Sequence, residues 1–264
     1  MTRIIAVCNQ KGGVGKTTTA VNLGAYLALF GKKVLLVDFD PQANASSSLG
    51  YKKGVDNRTI YHGILGQIEP HHLICGSTLL NYYFIPSDAN LSGALIELVG
   101  APERELFLRK FLAKFDNHYD YVLIDLPPSL SLLGLNGLLA AKEILIPVQT
   151  EYYSLEGLSQ LLSTVEMIEN NLGHNLKITG ALITMHDRWG KLSQEVAQNL
   201  RKNFPYNVFE TEIPRSVHLA EASSFGKPVA LYAPYSTGAE AYYRLAEEVI
   251  FQEKDGLFFG QIQD

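Results

Sequence analysis

The stretch NQKGGVGKTTTAVNLGAYLA, Asn9 to Ala28, carries two lysines, Lys11 and Lys16, set about Gly12, Gly13 and Gly15. Gly15-Lys16-Thr17 close the pattern G-x-x-x-x-G-K-[ST], the loop that cradles nucleotide phosphates. Gln10 stands where its first glycine belongs, so the pattern here is the variant K-G-G-x-G-K-T. Gly12, Gly13 and Gly15 open backbone conformations that turn successive N–H groups inward around an anion. The N-terminus of the helix that follows adds its partial positive charge. Lys16 then reaches the β- and γ-phosphates, the Thr17 hydroxyl holds Mg²⁺, and Val14 and Thr18 complete the loop's contacts with ATP. Lys11 sits at the mouth, and one loop needs one lysine. Its side chain can turn away to meet the nucleotide of a facing subunit, as a finger residue supplied in trans does. The residues alone leave open that it is a solvated lysine.

Two apolar runs end in acids. KKVLLVDFDPQAN places Asp38 and Asp40 at i and i+2, so the two can share a face of a strand before the chain turns at Pro41. YDYVLIDLPPS ends a second run at Asp125. In an open α/β sheet, ligands lie beyond the carboxyl ends of the strands, where these acids fall. Thr17, Asp38 and Asp125 form the candidate metal set, and Asp40 is the candidate for orienting the attacking water. Capping of the next turn is the plainer role for Asp38 and Asp40. No Ser-His-Asp or H-E-x-x-H arrangement is evident, and His71-His72, beside Pro70, reads as surface loop.

The elements that must position these groups alternate. Strands are predicted at 3–8, 33–38, 82–86, 121–125, 143–149, 177–185 and 207–213, and helices at 16–30, 103–115, 131–140, 154–171, 191–203 and 238–251. That order predicts an α/β fold of the P-loop NTPase kind, a mostly parallel twisted sheet with helices on both faces. The 264 residues, 47% hydrophobic, suit one large domain over 1–264. The phosphate loop begins so early that an N-terminal helix-turn-helix module is not expected. No apolar run reaches the roughly 18 residues of a membrane span, and no leader precedes the first strand, which points to the cytoplasm. Cys8 and Cys75 are read as packing residues, since no C-x-x-C occurs. A net charge of −5 means that any nucleic-acid surface must be local.

The chain resembles the deviant Walker A ATPases, and among them the ParA/Soj partition ATPases. The segments that carry the resemblance, in family order, are the phosphate loop, VLLVDFDPQANASSSLG, DYVLIDLPPSLSLLGLN, IPVQTEYYSLEGLSQLL, ITMHDRWGKLSQEV and VFETEIPRSVHLAEASSFGKPV. The resemblance implies a Mg-ATP switch that dimerises with ATP, coats nucleoid DNA without sequence preference, and is released when a ParB-like partner stimulates hydrolysis. It assigns the trans role to Lys11, the phosphate role to Lys16, metal binding to Thr17 and the acids' roles to Asp38, Asp40 and Asp125. It places Met185 and Pro214 beside adenine. It also implies a duplex-DNA face, for which this chain offers Arg188, Lys191, Arg215 and Lys227. There the chain departs from its relatives, with Trp189 and His218 where arginines commonly stand, and Tyr235 and Thr237 in a stretch that is basic elsewhere. From Lys177 onward nine Lys or Arg face eleven Asp or Glu. Binding to duplex DNA is therefore expected to be weak. The competing readings are a ParA-like ATPase that positions a protein cargo, and a MinD-like ATPase on a membrane surface. The acidic tail FQEKDGLFFGQIQD disfavours the second. Metabolic or redox relatives, such as dethiobiotin synthetase or nitrogenase iron protein, fit the segments and the cysteine count less well.

Overall fold

The computed structural model describes residues 2–52, 58–129, 131–151 and 154–259. Eight strands form one sheet: β1 (Arg3–Val7), β2 (Val34–Asp38), β3 (Cys75–Gly76), β4 (Tyr82–Ile85), β5 (Tyr121–Asp125), β6 (Glu143–Gln149), β7 (Lys177–His186) and β8 (Val208–Pro214). Their spatial order is β3-β4-β2-β5-β1-β6-β7-β8, parallel throughout except for the short edge strand β3. Parallel neighbours need long crossovers, and helices supply them. These are α1 (Lys16–Leu29), α2 (Asn44–Ser48), α3 (Ile60–Ile64), α4 (Leu91–Glu97), α5 (Phe107–Leu112), α6 (Leu132–Ala140), α7 (Ser154–Leu172), α8 (Lys191–Asn203), α9 (Val217–Ser224), α10 (Val229–Tyr232) and α11 (Thr237–Phe259).

The pleat divides the core. Ala6, Leu35, Val37, Val122 and Ile124 face one apolar layer, which includes residues of α5, α6 and α7. Ile5, Val7, Val34, Leu36 and Leu123, their immediate neighbours in sequence, face the other, against α1 and α11. Both faces are thus covered, and the strands read as continuous apolar runs because no side of them meets water. The crossing of α1 over β4 is close. A Cβ on Gly24 would lie 2.6 Å from the Tyr82 hydroxyl, which donates to the Val21 carbonyl at 2.9 Å.

Every predicted strand is present, to within a residue or so at each end. The predicted helix over 103–115 is instead a short α5 between two 3₁₀ turns. Asn136 of α6 accounts for the interruption. Its Oδ1 accepts from the Leu108 N–H at 3.2 Å and its Nδ2 donates to the Arg104 carbonyl at 2.9 Å, so both backbone groups bond across to α6. Five short helices, α2, α3, α4, α9 and α10, and strand β3 were not predicted. None is long enough to display a helical or strand period.

Candidate active site

The loop between β1 and α1 is pinned from both sides. Asn9 Oδ1 accepts the Lys11 N–H at 3.0 Å while its Nδ2 donates to the Pro147 carbonyl of β6 at 2.7 Å. The Thr184 hydroxyl of β7 donates to the Val14 carbonyl at 2.9 Å. Gly13 and Gly15 take φ of 73° and 86°, in the left-handed region open to glycine. A Cβ at Gly12 or Gly13 would meet nothing within 4 Å, so there is open space beside both glycines.

The two lysines diverge. Lys16, buried, donates from Nζ to the Lys11 carbonyl at 2.9 Å. Burial lowers its pKa, and the charges of Asp125 and Asp40 oppose that shift. Lys11 Nζ instead points to the far rim, 2.6 Å from Glu151 Oε2. Glu151 Oε1 in turn accepts from Gln149 Nε2 at 2.7 Å.

Asp38 and Asp125 end neighbouring parallel strands in register, and Val7 stands opposite Asp125 on the other side. Asp38 is heavily engaged. Its Oδ2 accepts the Ser46 N–H at 2.7 Å and hydroxyl at 2.6 Å, and its Oδ1 the Asp40 N–H at 3.2 Å. Burial nevertheless pushes its carboxyl up to about 6. Strand β2 stops at Asp38. Asp40 is therefore aligned not by pleat alternation but by this turn, and it accepts the Gln42 N–H at 2.9 Å on Oδ1. Ala43, at φ 56°, then reverses the chain into α2.

Asp125 is the unpartnered group. Both of its oxygens are buried without a hydrogen bond. Burial, then the charge of Asp38, holds its carboxyl well above the usual carboxylate range, against the pull of Thr17 and Lys16. Thr17 stands near enough to favour the ionised form without meeting hydrogen-bond geometry. Buried polar atoms without partners are costly and rare. A hard cation beside Thr17 and Asp125 suits this donor set, since such ions take oxygen ligands.

Met185 and Pro214 lie at the carboxyl ends of adjacent strands, where His186 pairs with Pro214. Met185 has φ 51°, an uncommon conformation for a residue with a side chain.

A model of the AAA domain matches residues 2–178. Over 253 residues the chain is 47% identical to the chromosome-partitioning ATPase Soj of Treponema pallidum, covering 96% of this chain and 99% of that protein. It is 51% identical over 252 residues to the chromosome-partitioning ATPase Soj of Thermus thermophilus, covering 94% and 95%. The chain belongs to the ParA/Soj family of partition ATPases. Its backbone also matches a solved structure of cobyrinic acid a,c-diamide synthase from Mycobacterium smegmatis with bound ADP and magnesium, at a TM-score of 0.85 and 35% identity, with 97% of each chain covered.

Within this ParA/Soj chain, the segments that carried the resemblance converge on the carboxyl edge of the sheet, apart from Leu130, Tyr152 and Tyr153, which lie outside the described residues, as does the tail beyond Phe259. Arg188 and Lys191 follow β7, and Arg215 follows β8 on the neighbouring strand. Lys227 lies apart, beyond the far end of α9. Sequence reasoning did not single out Asn9, Ser46, Glu151 or Thr184. Ser46 lies in a quoted segment, but nothing in its spacing from Asp38 foretells the contact.

One expectation concerns stability. A carboxyl whose folded pKa is raised stabilises the fold fully below its unfolded value, and that contribution is lost as pH rises through the folded value. Asp125→Asn should therefore raise the melting temperature of the nucleotide-free protein by about 4 °C or more at pH 8, given ~2–4 °C per kcal/mol for a chain of this size. The gain should vanish near pH 3, below the unfolded value of about 3.9, where the unfolded carboxyl is itself protonated. Thermal unfolding of both proteins across that range checks it, and a lower melting temperature at pH 8 would contradict it.

Proposed function

We propose that this chain is a Mg-ATP switch for chromosome or plasmid partition, monomeric without ATP and paired with it. The observation that carries the reading is the divergence of the two lysines. Lys16 faces the acids inside the loop, whereas Lys11 extends from the same loop to its outer rim. A cation there is placed to serve a facing protomer.

In this reading the inward N–H groups of residues 12–18 and Lys16 bind the phosphates, and Met185 and Pro214 flank the adenine. Thr17 and Asp125 hold the metal. Asp38, already accepting three hydrogen bonds, contributes charge and fixes Asp40 through the turn. Mg²⁺, when bound, neutralises charge on the phosphate oxygens. Asp40 orients the attacking water and takes up its proton. Lys11 leaves the exposed Glu151 pair, which is worth little in water, and meets the partner's nucleotide. Turnover is then tied to dimer formation, so ATP acts as a clock.

The paired form binds duplex DNA weakly and without sequence preference through Arg188, Lys191, Arg215 and Lys227, doubled by dimerisation. A ParB-like protein stimulates hydrolysis and release, and the protein works in the cytoplasm at the nucleoid. Among the described residues no helix is long and apolar enough to cross a membrane. The partition names of the curated relatives support this reading over a synthetase role.

Anisotropy of a labelled duplex at low salt, with ATP and Mg²⁺, tests it. Wild type should bind only with ATP, and an Arg188→Glu, Arg215→Glu double variant should not bind. With each lost phosphate contact the salt slope should fall by about 0.9. No binding by the wild type would favour a protein cargo instead, and equal binding by both would move the DNA face to other residues.

A further inference from the structure

Three serines stand in a row on α2, and they do not behave alike. The Ser47 and Ser48 hydroxyls turn back along the chain to the Ala43 and Asn44 carbonyls, at 3.0 and 2.8 Å. Bonds of that kind are local to a helix. Ser46, buried, turns to Asp38 instead, with its hydroxyl 2.6 Å from Oδ2.

The sense of that bond is fixed. The Ser87 N–H, just beyond β4, lies 2.9 Å from Ser46 Oγ, and a backbone N–H can only donate. Ser46 Oγ therefore accepts there and gives its own proton to Asp38. With the Ser46 N–H at 2.7 Å, Asp38 Oδ2 holds two donors from one residue, which leaves Oδ1 to take the Asp40 N–H at 3.2 Å. Asp40 depends on this arrangement. The last ladder bond of the chain leaving β2 is made by Phe39, whose N–H donates to the Asp125 carbonyl at 3.0 Å. The turn that follows is closed by bonds of its own, from the Asp40 N–H to Asp38, from the Gln42 N–H to Asp40 Oδ1, and from the Ala43 N–H to the Asp40 carbonyl. Of these, the first ties the Asp40 peptide to the end of β2.

Without the Ser46 hydroxyl, Asp38 Oδ2 keeps one donor and the Ser87 N–H loses its acceptor. The terminal torsion of a carboxylate is soft, so the group that holds Asp40 can then rotate. We infer that Ser46 is a positioning residue for ATP hydrolysis: anchored by the backbone at the end of β4, it fixes the Asp38 carboxylate and, through it, the place of Asp40. The inference rests on the reading of Asp40 as the group that orients the attacking water. A contact that merely capped α2 would act otherwise. Its loss would lower stability without singling out the chemical step.

Single-turnover hydrolysis by the full chain, with Mg²⁺ and a range of ATP concentrations, tests it. Ser46→Ala should lower the maximal rate about ten-fold and leave the half-saturating ATP concentration within about two-fold, since a displaced reacting group costs rate rather than binding. Ser46→Cys, which fills nearly the same space with a weak donor, should show the same split. Ser47→Ala, one residue along the same helix, should hydrolyse ATP at the wild-type rate. The deciding measurement is a double-mutant cycle. If Ser46 acts through Asp40, adding Ser46→Ala to Asp40→Ala should slow the reaction by less than about two-fold more. A further loss of the full ten-fold, an unchanged rate in both Ser46 variants, an effect confined to ATP affinity, or an equal loss in Ser47→Ala would overturn the inference and leave Asp40 in its role. Wild-type hydrolysis by Asp40→Ala itself would remove the water-positioning reading, and the inference with it.

Discussion

Lys16→Ala is expected to raise the dissociation constant for ATP at least ~100-fold, a loss of about 2.7 kcal/mol or more. The argument is one of charge. Lys16 is buried beside Asp125 and Asp40, and hydrogen bonds to charged groups are worth roughly 1.5–3 kcal/mol each. Without the ammonium the acids face the incoming phosphates with no cation of the loop's interior between them. Lys11 does not substitute, because its side chain leads away from the loop's interior to the rim beside Glu151. Titration with a fluorescent ATP analogue checks the result, with circular dichroism showing that the variant is folded. Unchanged affinity would remove Lys16 from the phosphate site.

The phosphate loop, the strand-terminal acids and nearly all of the sheet were legible in the sequence, for a common reason. Strands buried on both faces must be apolar throughout, so Val34–Asp38 and Tyr121–Asp125 announce both themselves and the carboxylates at their ends. The loop is legible because glycine alone takes φ near 80° without strain at Gly13 and Gly15. What stayed hidden depends on tertiary placement. Ser46 reaches Asp38 only because Ala43 reverses the chain in a left-handed turn, and alanine is not a residue from which that turn would be read. The broken segment around α5 follows from Asn136, a residue of another helix. Glu151 meets Lys11 across the mouth of the site from the end of β6, a separation of 140 residues.

That hidden contact also separates the roles of the remaining two charged groups. Asp40→Ala should leave ATP affinity within a few-fold of wild type, slow hydrolysis by about 100-fold or more, and let the ATP-bound dimer accumulate. The Asp40 carboxylate accepts one hydrogen bond, from the Gln42 N–H on Oδ1, and its other oxygen has no donor among the described residues. Its loss thus removes water positioning and little else. Lys11→Ala should do the reverse. Its Nζ touches nothing inside its own loop, while its backbone carbonyl still holds Lys16, so each monomer should keep its affinity for ATP and fail to pair. Multi-angle light scattering with ATP and Mg²⁺ distinguishes the two: Asp40→Ala at dimer mass, Lys11→Ala at monomer mass. A normal dimer from Lys11→Ala would place the lysine in its own site rather than the partner's, and a strictly monomeric Asp40→Ala would mean that this carboxylate shapes the interface as well as the water.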